Sequence, residues 1–251
     1  VFLMSEVLKT DDKLLNFLIL RASIAQAGSS GNPYLLMGTY YLNPQKHTGV
    51  TMGEYTNKVV DPNIKNELTT SYEGGFDVNL FSNRLMLNFT YYNASTKNQI
   101  LQVPLPSSTS FAYRIINAGK IQNKGIEFMI SGTPIKTKGG FTWESSFNFS
   151  RNRNKILKLA EGIETYQLGN DRGVSVVAEE GKPFGQIKGT KFVWQKDEQG
   201  NILIDPESGL PLRSAGFETT DLGSALPDWL GGFANTFSYK GFRLYMLIDI
   251  S

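Results

Sequence analysis

The chain has 251 residues, of which 40% are hydrophobic and 19% charged, with 25 Gly, 16 Phe, 11 Tyr and no Cys. The lack of Cys excludes a disulfide-stapled scaffold, a thiolate metal site and a cysteine nucleophile, and a formal net charge of +2 without a dense Lys/Arg block excludes the electrostatic footprint of nucleic-acid binding. A mean hydropathy of −0.23 beside 12% aromatic residues points to large apolar side chains alternating with polar ones, and no stretch approaches the roughly 18 apolar residues of a membrane helix.

The first residues lack the basic and apolar regions of a signal peptide, and Ser5-Glu6-Val7-Leu8-Lys9 predicts one capped helical turn with Ser5 as N-cap. Leu18, Leu20, Ala22 and Ile24 then alternate with Ile19, Arg21, Ser23 and Ala25, the period-two signature of a strand with one apolar face. After a long polar stretch, Tyr72, Gly74, Phe76, Val78 and Leu80 oppose Ser71, Glu73, Gly75, Asp77 and Asn79. Beyond the tight link Ser82-Asn83-Arg84, Leu85, Leu87, Phe89 and Tyr91 oppose Met86, Asn88, Thr90 and Tyr92, so the two segments predict an antiparallel hairpin. Lys124, Ile126, Phe128 and Ile130 alternate with Gly125, Glu127, Met129 and Ser131; Phe141, Trp143, Ser145, Phe147 and Phe149 alternate with polar residues. A second helical turn is predicted over 154–159. Near the end, Phe233, Asn235 and Phe237 lead through Tyr239-Lys240-Gly241 into Phe242, Leu244, Met246, Ile248 and Ile250.

These segments amount to about seven strands near the 9–11 residues of a tilted barrel strand. Short links at Ser82-Asn83, at 133–140 and at 239–241 alternate with long polar stretches at 28–67, 98–122 and 152–228. Short turns at one end and long loops at the other are the asymmetry of an outer-membrane barrel. Tyr91, Tyr92, Trp143, Trp229 and Tyr239 are expected to form its interfacial aromatic girdles. A chain stopping in mid-strand at Ile250-Ser251, with open edges and a wide apolar face, is expected to be part of a longer protein.

The segment Asn117-Ala118-Gly119-Lys120-Ile121-Gln122-Asn123-Lys124-Gly125-Ile126-Glu127 resembles a motif of the SusC/RagA family of TonB-dependent outer-membrane transporters. Leu18 to Gly28, Asp61 to Asn66 with the following hairpin, Phe147 to Ile156, Gly181 to Lys188 and Leu226-Pro227-Asp228-Trp229 to Tyr239 are similar to that family in the same order. The resemblance implies an all-β fold, a partial transmembrane antiparallel β-barrel in which residues 1–251 supply about seven or eight strands of a presumed 22-stranded wall. It further implies active import of an oligosaccharide or peptide across the outer membrane of a Gram-negative bacterium, beneath a SusD-like lid lipoprotein. TonB would act through an N-terminal region with a plug and TonB box that this chain lacks. No enzymatic activity and no cofactor is expected. A soluble all-β carbohydrate-binding module and a passive porin-like barrel are the alternatives.

The candidate residues follow from face and loop. Arg21, Glu73, Asp77, Asn88 and Tyr92 fall on the polar parity and are expected to face the lumen, either as a polar path or as anchors for the plug and one another. Glu73 and Asp77 stand about 13 Å apart along a strand, beyond the roughly 5–9.5 Å of glycosidase carboxylate pairs, so no catalytic role is assigned. Phe111, Tyr113 and Arg114 in one long stretch, and Tyr166, Phe192 and Trp194 in another, carry aromatic faces and a cation suited to sugars or peptides; packing onto each other or onto a lid is the alternative. Lys124 and Glu127 are expected to pair locally at the membrane rim, with Gly125 allowing a bend or a close backbone approach at a strand start. His47 reads as a solvated loop residue, so no metal site is assigned, and Gly200-Asn201 reads as a hairpin turn rather than a calcium loop.

Overall fold

A computed structural model describes residues 2–3, 14–31, 34 and 36–251; the helical turn expected over 5–9 lies outside them. Along the chain, β1 (Phe2–Leu3) and β2 (Leu15–Ser29) come first, and the first long connection carries β3 (Tyr40–His47), β4 (Val50–Tyr55) and β5 (Lys58–Val60). The hairpin β6 (Glu67–Leu80) and β7 (Leu85–Lys97) follows, then a second connection with β8 (Ile100–Pro104) and β9 (Tyr113–Asn117). The hairpin β10 (Gly119–Lys136) and β11 (Phe141–Leu159) leads to a third connection with β12 (Thr165–Asp171), β13 (Val174–Glu179), β14 (Gln186–Trp194) and β15 (Arg213–Ser224). The hairpin β16 (Leu230–Tyr239) and β17 (Phe242–Ile250) completes the chain.

One antiparallel sheet of eight strands in the order β1-β2-β6-β7-β10-β11-β16-β17 forms the wall, with β1 and β17 at its edges. The three hairpins turn at one end. Lys240 and Gly241 both have positive φ, 42° and 88°, which a two-residue turn between the paired Tyr239 and Phe242 requires to match strand twist. Between β6 and β7 the turn is wider, and Arg84 donates to the carbonyls of Thr133 and Pro134, each at 3.1 Å, tying it to the next strand.

Register decides the faces. Leu20 lies opposite Phe76, Phe76 opposite Phe89, Phe89 opposite Phe128, Phe128 opposite Phe149, and Phe147 opposite Phe233. Directly opposed residues in a ladder share a face, so the apolar parities of all these strands line up on one side. Stacked rings knit that side together, Phe76 on Phe89 with centroids 5.5 Å apart and Phe149 on Trp229 at 5.8 Å. It is bare of protein at its margins, where Ile24 is 76% and Phe242 82% exposed. This is the outward face of a membrane barrel, alternating residue by residue with a polar inward face. No helix of the described residues is long and apolar enough to cross a membrane.

Four sequence expectations are corrected. Residues 154–159 are strand, not helix, because Ile156 and Leu159 are buried (0% and 5% exposed) beneath Ala178 of β13 while their backbone pairs with β10; tertiary packing overrides a weak local propensity. The long connections are not plain loops, since they carry the small sheets β3-β4, β5-β9-β8 and β12-β13-β14-β15. The wall strands β10 and β11, 18 and 19 residues long, outrun a bilayer because they continue beyond it to support those sheets. Tyr92 faces inward with Glu73, so it takes no part in an outward girdle; Trp143, Tyr239 and Tyr91 lie on the outward parity, and Trp229 stacks on the outward Phe149.

Candidate functional site

The inward face carries the sequence-predicted polar residues. Arg21 of β2 sits two residues along from Ile19, which lies opposite Asp77 of β6, the diagonal spacing that long side chains bridge. Its Nε and Nη2 approach the Asp77 carboxylate at 3.1 Å each, and Nη2 reaches Thr90 Oγ1 of β7 at 3.5 Å. Asn88, opposite Asp77 in register, donates its amide to the same carboxylate. Three strands are thereby stitched across their inward surface. Because Arg21 and Asp77 remain 40% and 30% exposed, the pair stabilises weakly and serves mainly to fix where the charges stand.

One rung toward the long connections, Glu73 lies opposite both Ser23 and Tyr92. Its carboxylate has no ion-pair partner among the described residues. Arg21, Ser23, Glu73, Gly75 and Thr90 surround a hollow of about 240 Å³, and at Gly75 a Cβ would collide with the Phe89 carbonyl. Tyr92 leans over Gly125, where a Cβ would collide with its hydroxyl. Of the bend and the close approach expected of Gly125, it is the close approach that is seen, inside β10. Lys124 and Glu127 stand on opposite faces of β10 and form no ion pair among the described residues, so the expected local pairing is absent.

At the end of the long connections, Arg114 of β9 binds Asp61 at 2.8 Å while the Asp61 N–H donates to the Ile115 carbonyl at 3.0 Å. The Arg114 charge is thus met within the protein. Tyr113 is half-buried beside it, and Phe111 half-buried in the approach to β9. Asn117 accepts from the Lys65 N–H and donates to the Lys65 carbonyl, each at 2.7 Å, and donates again to the Asn98 carbonyl at 2.7 Å. One side chain holds both the first and the second connection against the wall.

The third connection is anchored in the same manner. Ile156 of β11 donates to the Lys182 carbonyl at 2.9 Å and accepts from Gly181 N–H at 2.8 Å, and Asn154 accepts from Phe184 N–H at 2.9 Å. Asn154 in turn donates to Asn123 of β10 at 2.7 Å. Beside this seam Lys188 donates to Glu179, and Lys182 reaches Asp221 at 2.6 Å and Glu179 at 3.2 Å. The Lys188 hydrogen bond, helped by those of Lys182 and Thr165 and opposed by burial, holds the Glu179 carboxyl below its ordinary range; hydrogen bonds to Asp221 and then Glu179 raise Lys182 above its own.

Trp194 does not stand alone. The Arg213 guanidinium lies 3.9 Å over the Phe192 ring and 6.0 Å from that of Trp194, with the two rings 6.2 Å apart. Tyr166 packs instead against the small core of Ile156, Leu159 and Ala178. The Asp197–Asn201 turn is closed by Asn201 donating to Asp197 and flanked by the bridge Lys196 to Ile202, the hairpin expected there, and these bonds lower the Asp197 carboxyl. His47 is exposed at the end of β3. Among the described residues no group of three or more His, Asp or Glu could hold a metal ion. Arg213 and the ion-pair roles of Asp61 and Asp221 escaped the sequence reading, because their partners lie far off in sequence with no periodicity to connect them; the Glu179–Lys182 pair is local but carries no motif.

Comparison with known proteins follows the same lines. Residues 12–245 match the family model described as TonB dependent receptor-like, beta-barrel. The chain is 33% identical over 248 residues to TonB-dependent receptor P26 of Formosa agariphila, covering 88% of this chain and 24% of that protein. It is 29% identical over 257 residues to TonB-dependent receptor P3 of the same organism, covering 90% and 25%. Over 160 residues it is 32% identical to TonB-dependent receptor SusC of Bacteroides thetaiotaomicron, covering 59% and 16%. The solved RagAB peptide transporter superposes with a TM-score of 0.80 over 99% of this chain and 28% of that one, at 23% identity, a likeness of fold. The chain spans about a quarter of the length of the curated Formosa relatives.

Proposed function

Because the chain belongs to the TonB dependent receptor-like β-barrel family, we propose that it forms part of the wall of an importer in the outer membrane of a Gram-negative bacterium. The cargo is a large nutrient, an oligosaccharide or peptide, taken up beneath a SusD-like lid lipoprotein with energy from TonB. Residues 1–251 belong to the barrel domain, and plug and TonB contact are supplied by sequence outside them. The protein moves its cargo without covalent chemistry.

The observation that carries this reading is the union of one apolar outward face, one polar inward face and three structured connections gathered at a single end. A soluble carbohydrate-binding module would have to leave Ile24, Phe242 and Leu244, each more than half exposed, in water. The inward Arg21–Asp77–Asn88–Thr90 network and the open carboxylate of Glu73 are suited to a hydrated passage or a polar plug surface. Phe192, Trp194 and Arg213 present aromatic and cationic groups for cargo or lid.

Uptake of labelled oligosaccharides and peptides by cells expressing the complete reading frame tests the proposal. Accumulation should require both this gene and TonB. Uptake that persists without TonB would reduce the protein to a passive pore, and partition of the purified protein into buffer without detergent would remove the membrane reading altogether.

A further inference from the structure

We propose that the outward rim of β7, β10 and β11, just beyond the apolar belt at the end of the long connections, seats the phosphate groups of a glycolipid in the leaflet on that side. The inference rests on the membrane placement above but needs no transport. Past Phe149 the outward positions of β11 are Arg151, Arg153 and Lys155, and across a register shift Lys158. Their opposites repeat the charge. Lys124 faces Arg153, Lys120 faces Lys158, and Lys97 of β7 lies on the far side of Lys120. Like charges directly opposed in a sheet are destabilising, and three adjacent strands about 4.8 Å apart here carry a row of three ammonium groups.

Protein carboxylates do little to offset it. Among the described residues only Arg153 of these cations has an ion-pair partner, Asp228 at 3.2 Å, with side chains 54% and 80% exposed. Lys97, Lys120 and Lys158 border a hollow of about 370 Å³ that includes one carboxylate residue, Glu161. Nor can the row turn inward, because Ile121 and Ile156 on the other parity pack beneath Ala178. A bound polyanion outside the wall relieves the repulsion.

Height selects the anion. From Arg151 to Lys158 a strand rising about 3.3 Å per residue and tilted about 40° climbs roughly 17 Å along the membrane normal. A phospholipid headgroup layer is only about 5–8 Å thick. Phosphates carried on a saccharide headgroup reach that span, whereas the phosphates of a glycerophospholipid reach only its base.

The receptor expressed from its complete reading frame and reconstituted in phosphatidylcholine nanodiscs is titrated with a lipopolysaccharide whose core sugars carry phosphates and with the same glycolipid dephosphorylated. The phosphorylated form should bind at least about tenfold more tightly, and the combined Lys97→Gln, Lys120→Gln and Lys158→Gln variant should lose at least about tenfold, since each basic residue near a charged lipid surface adds to the attraction. Equal binding of the two forms, or equal binding of phosphatidylglycerol, overturns the proposal. So does a variant that keeps its affinity for the phosphorylated form. Should that variant fail to fold, rising salt must weaken binding of the phosphorylated form to the unmodified receptor; binding indifferent to salt overturns the idea by itself. Import is measured in neither arm, so this result and the TonB experiment stand or fall separately.

Discussion

The side-chain amide of Asn117 grips the backbone of Lys65 from both sides, accepting from its N–H and donating to its carbonyl at 2.7 Å each. An amide is suited to this, since it offers one acceptor and two donors in a plane. Asn117→Ala is expected to destabilise the junction by about 1–3 kcal/mol and to speed amide hydrogen exchange at Lys65 and Asn66 while leaving the hairpin β6–β7 protected. Asn117→Asp should fall between the two, keeping the acceptor and losing the donor. Unchanged exchange in Asn117→Ala would mean that the connections hold themselves in place.

This contact also explains how far the sequence could be read. The segments that carried the family resemblance, Asp61 to Asn66 and the stretch beginning at Asn117, are partners in space, as are Phe147 to Ile156 and Gly181 to Lys188 through Asn154, Ile156 and Phe184. The strands were legible because the ladder opposes equal parities, so a period of two survives from Leu18 to Ile248. What escaped was non-local or disguised. Ile156 and Leu159 mimic a short helical turn until Ala178 is placed above them, and nothing near Trp194 announces Arg213. Of the predicted inward residues Arg21, Asp77 and Asn88 meet in one network, whereas Tyr113 and Arg114, with Phe111 just before them, belong to a different small sheet from Trp194.

On the outward face Trp143 Nε1 donates to Asn235 Oδ1 at 2.9 Å, and Asn235 is 5% exposed. An amide on a lipid-facing position is tolerated only while its oxygen is satisfied. Trp143→Phe should therefore cost about 1–3 kcal/mol in reversible unfolding from bilayers. Adding Asn235→Leu should recover much of the loss, since the unpaired group is then gone. A double variant no better than the single one would show that the ring, stacked on Phe237 at 5.9 Å, matters more than its N–H.

Acid should loosen the third connection before it touches the wall. Glu179 has a folded pKa below its ordinary value because Lys188, then Lys182 and Thr165, bind its ionised form. The stability it contributes is complete above the unfolded value, about 4.3 for a glutamate, and is lost as pH falls through the lowered folded value. Hydrogen exchange at 175–177, where β13 pairs with β14, is expected to rise only below about pH 4. Glu179→Gln should show the looser exchange at neutral pH and little further change on acidification.

Within the lumen, Asp77→Ala removes the carboxylate that receives Arg21 and Asn88. The expected stability loss is small, up to about 1 kcal/mol, because the pair is partly exposed and screened. Its electrostatic effect is larger, since Arg21 keeps only Thr90 and adds an unmatched cation beside the Glu73 hollow. Import of anionic against cationic peptides should shift toward the anionic ones in Asp77→Ala and return with Arg21→Gln. If neither substitution alters cargo preference, the network anchors protein to protein.

The assignment of the two faces can be tested at one pair of neighbours. Leu87 lies opposite Val78 and Ile130, all three on the outward parity, while Met86 lies opposite Asn79 and Ser131 on the inward one. If the outward face meets hydrocarbon, Leu87→Arg should cost about 2–4 kcal/mol in folding into bilayers, the expected range near a membrane midplane. Met86→Arg, one residue away in the same strand, enters a polar surface where its guanidinium stays hydrated and should cost well under half as much. Intrinsic strand propensity and loss of a large apolar side chain are similar for the two substitutions, so their difference isolates the solvent on each side of the wall. Equal costs would mean that both faces are packed against protein, and a larger cost at Met86 would reverse inside and outside.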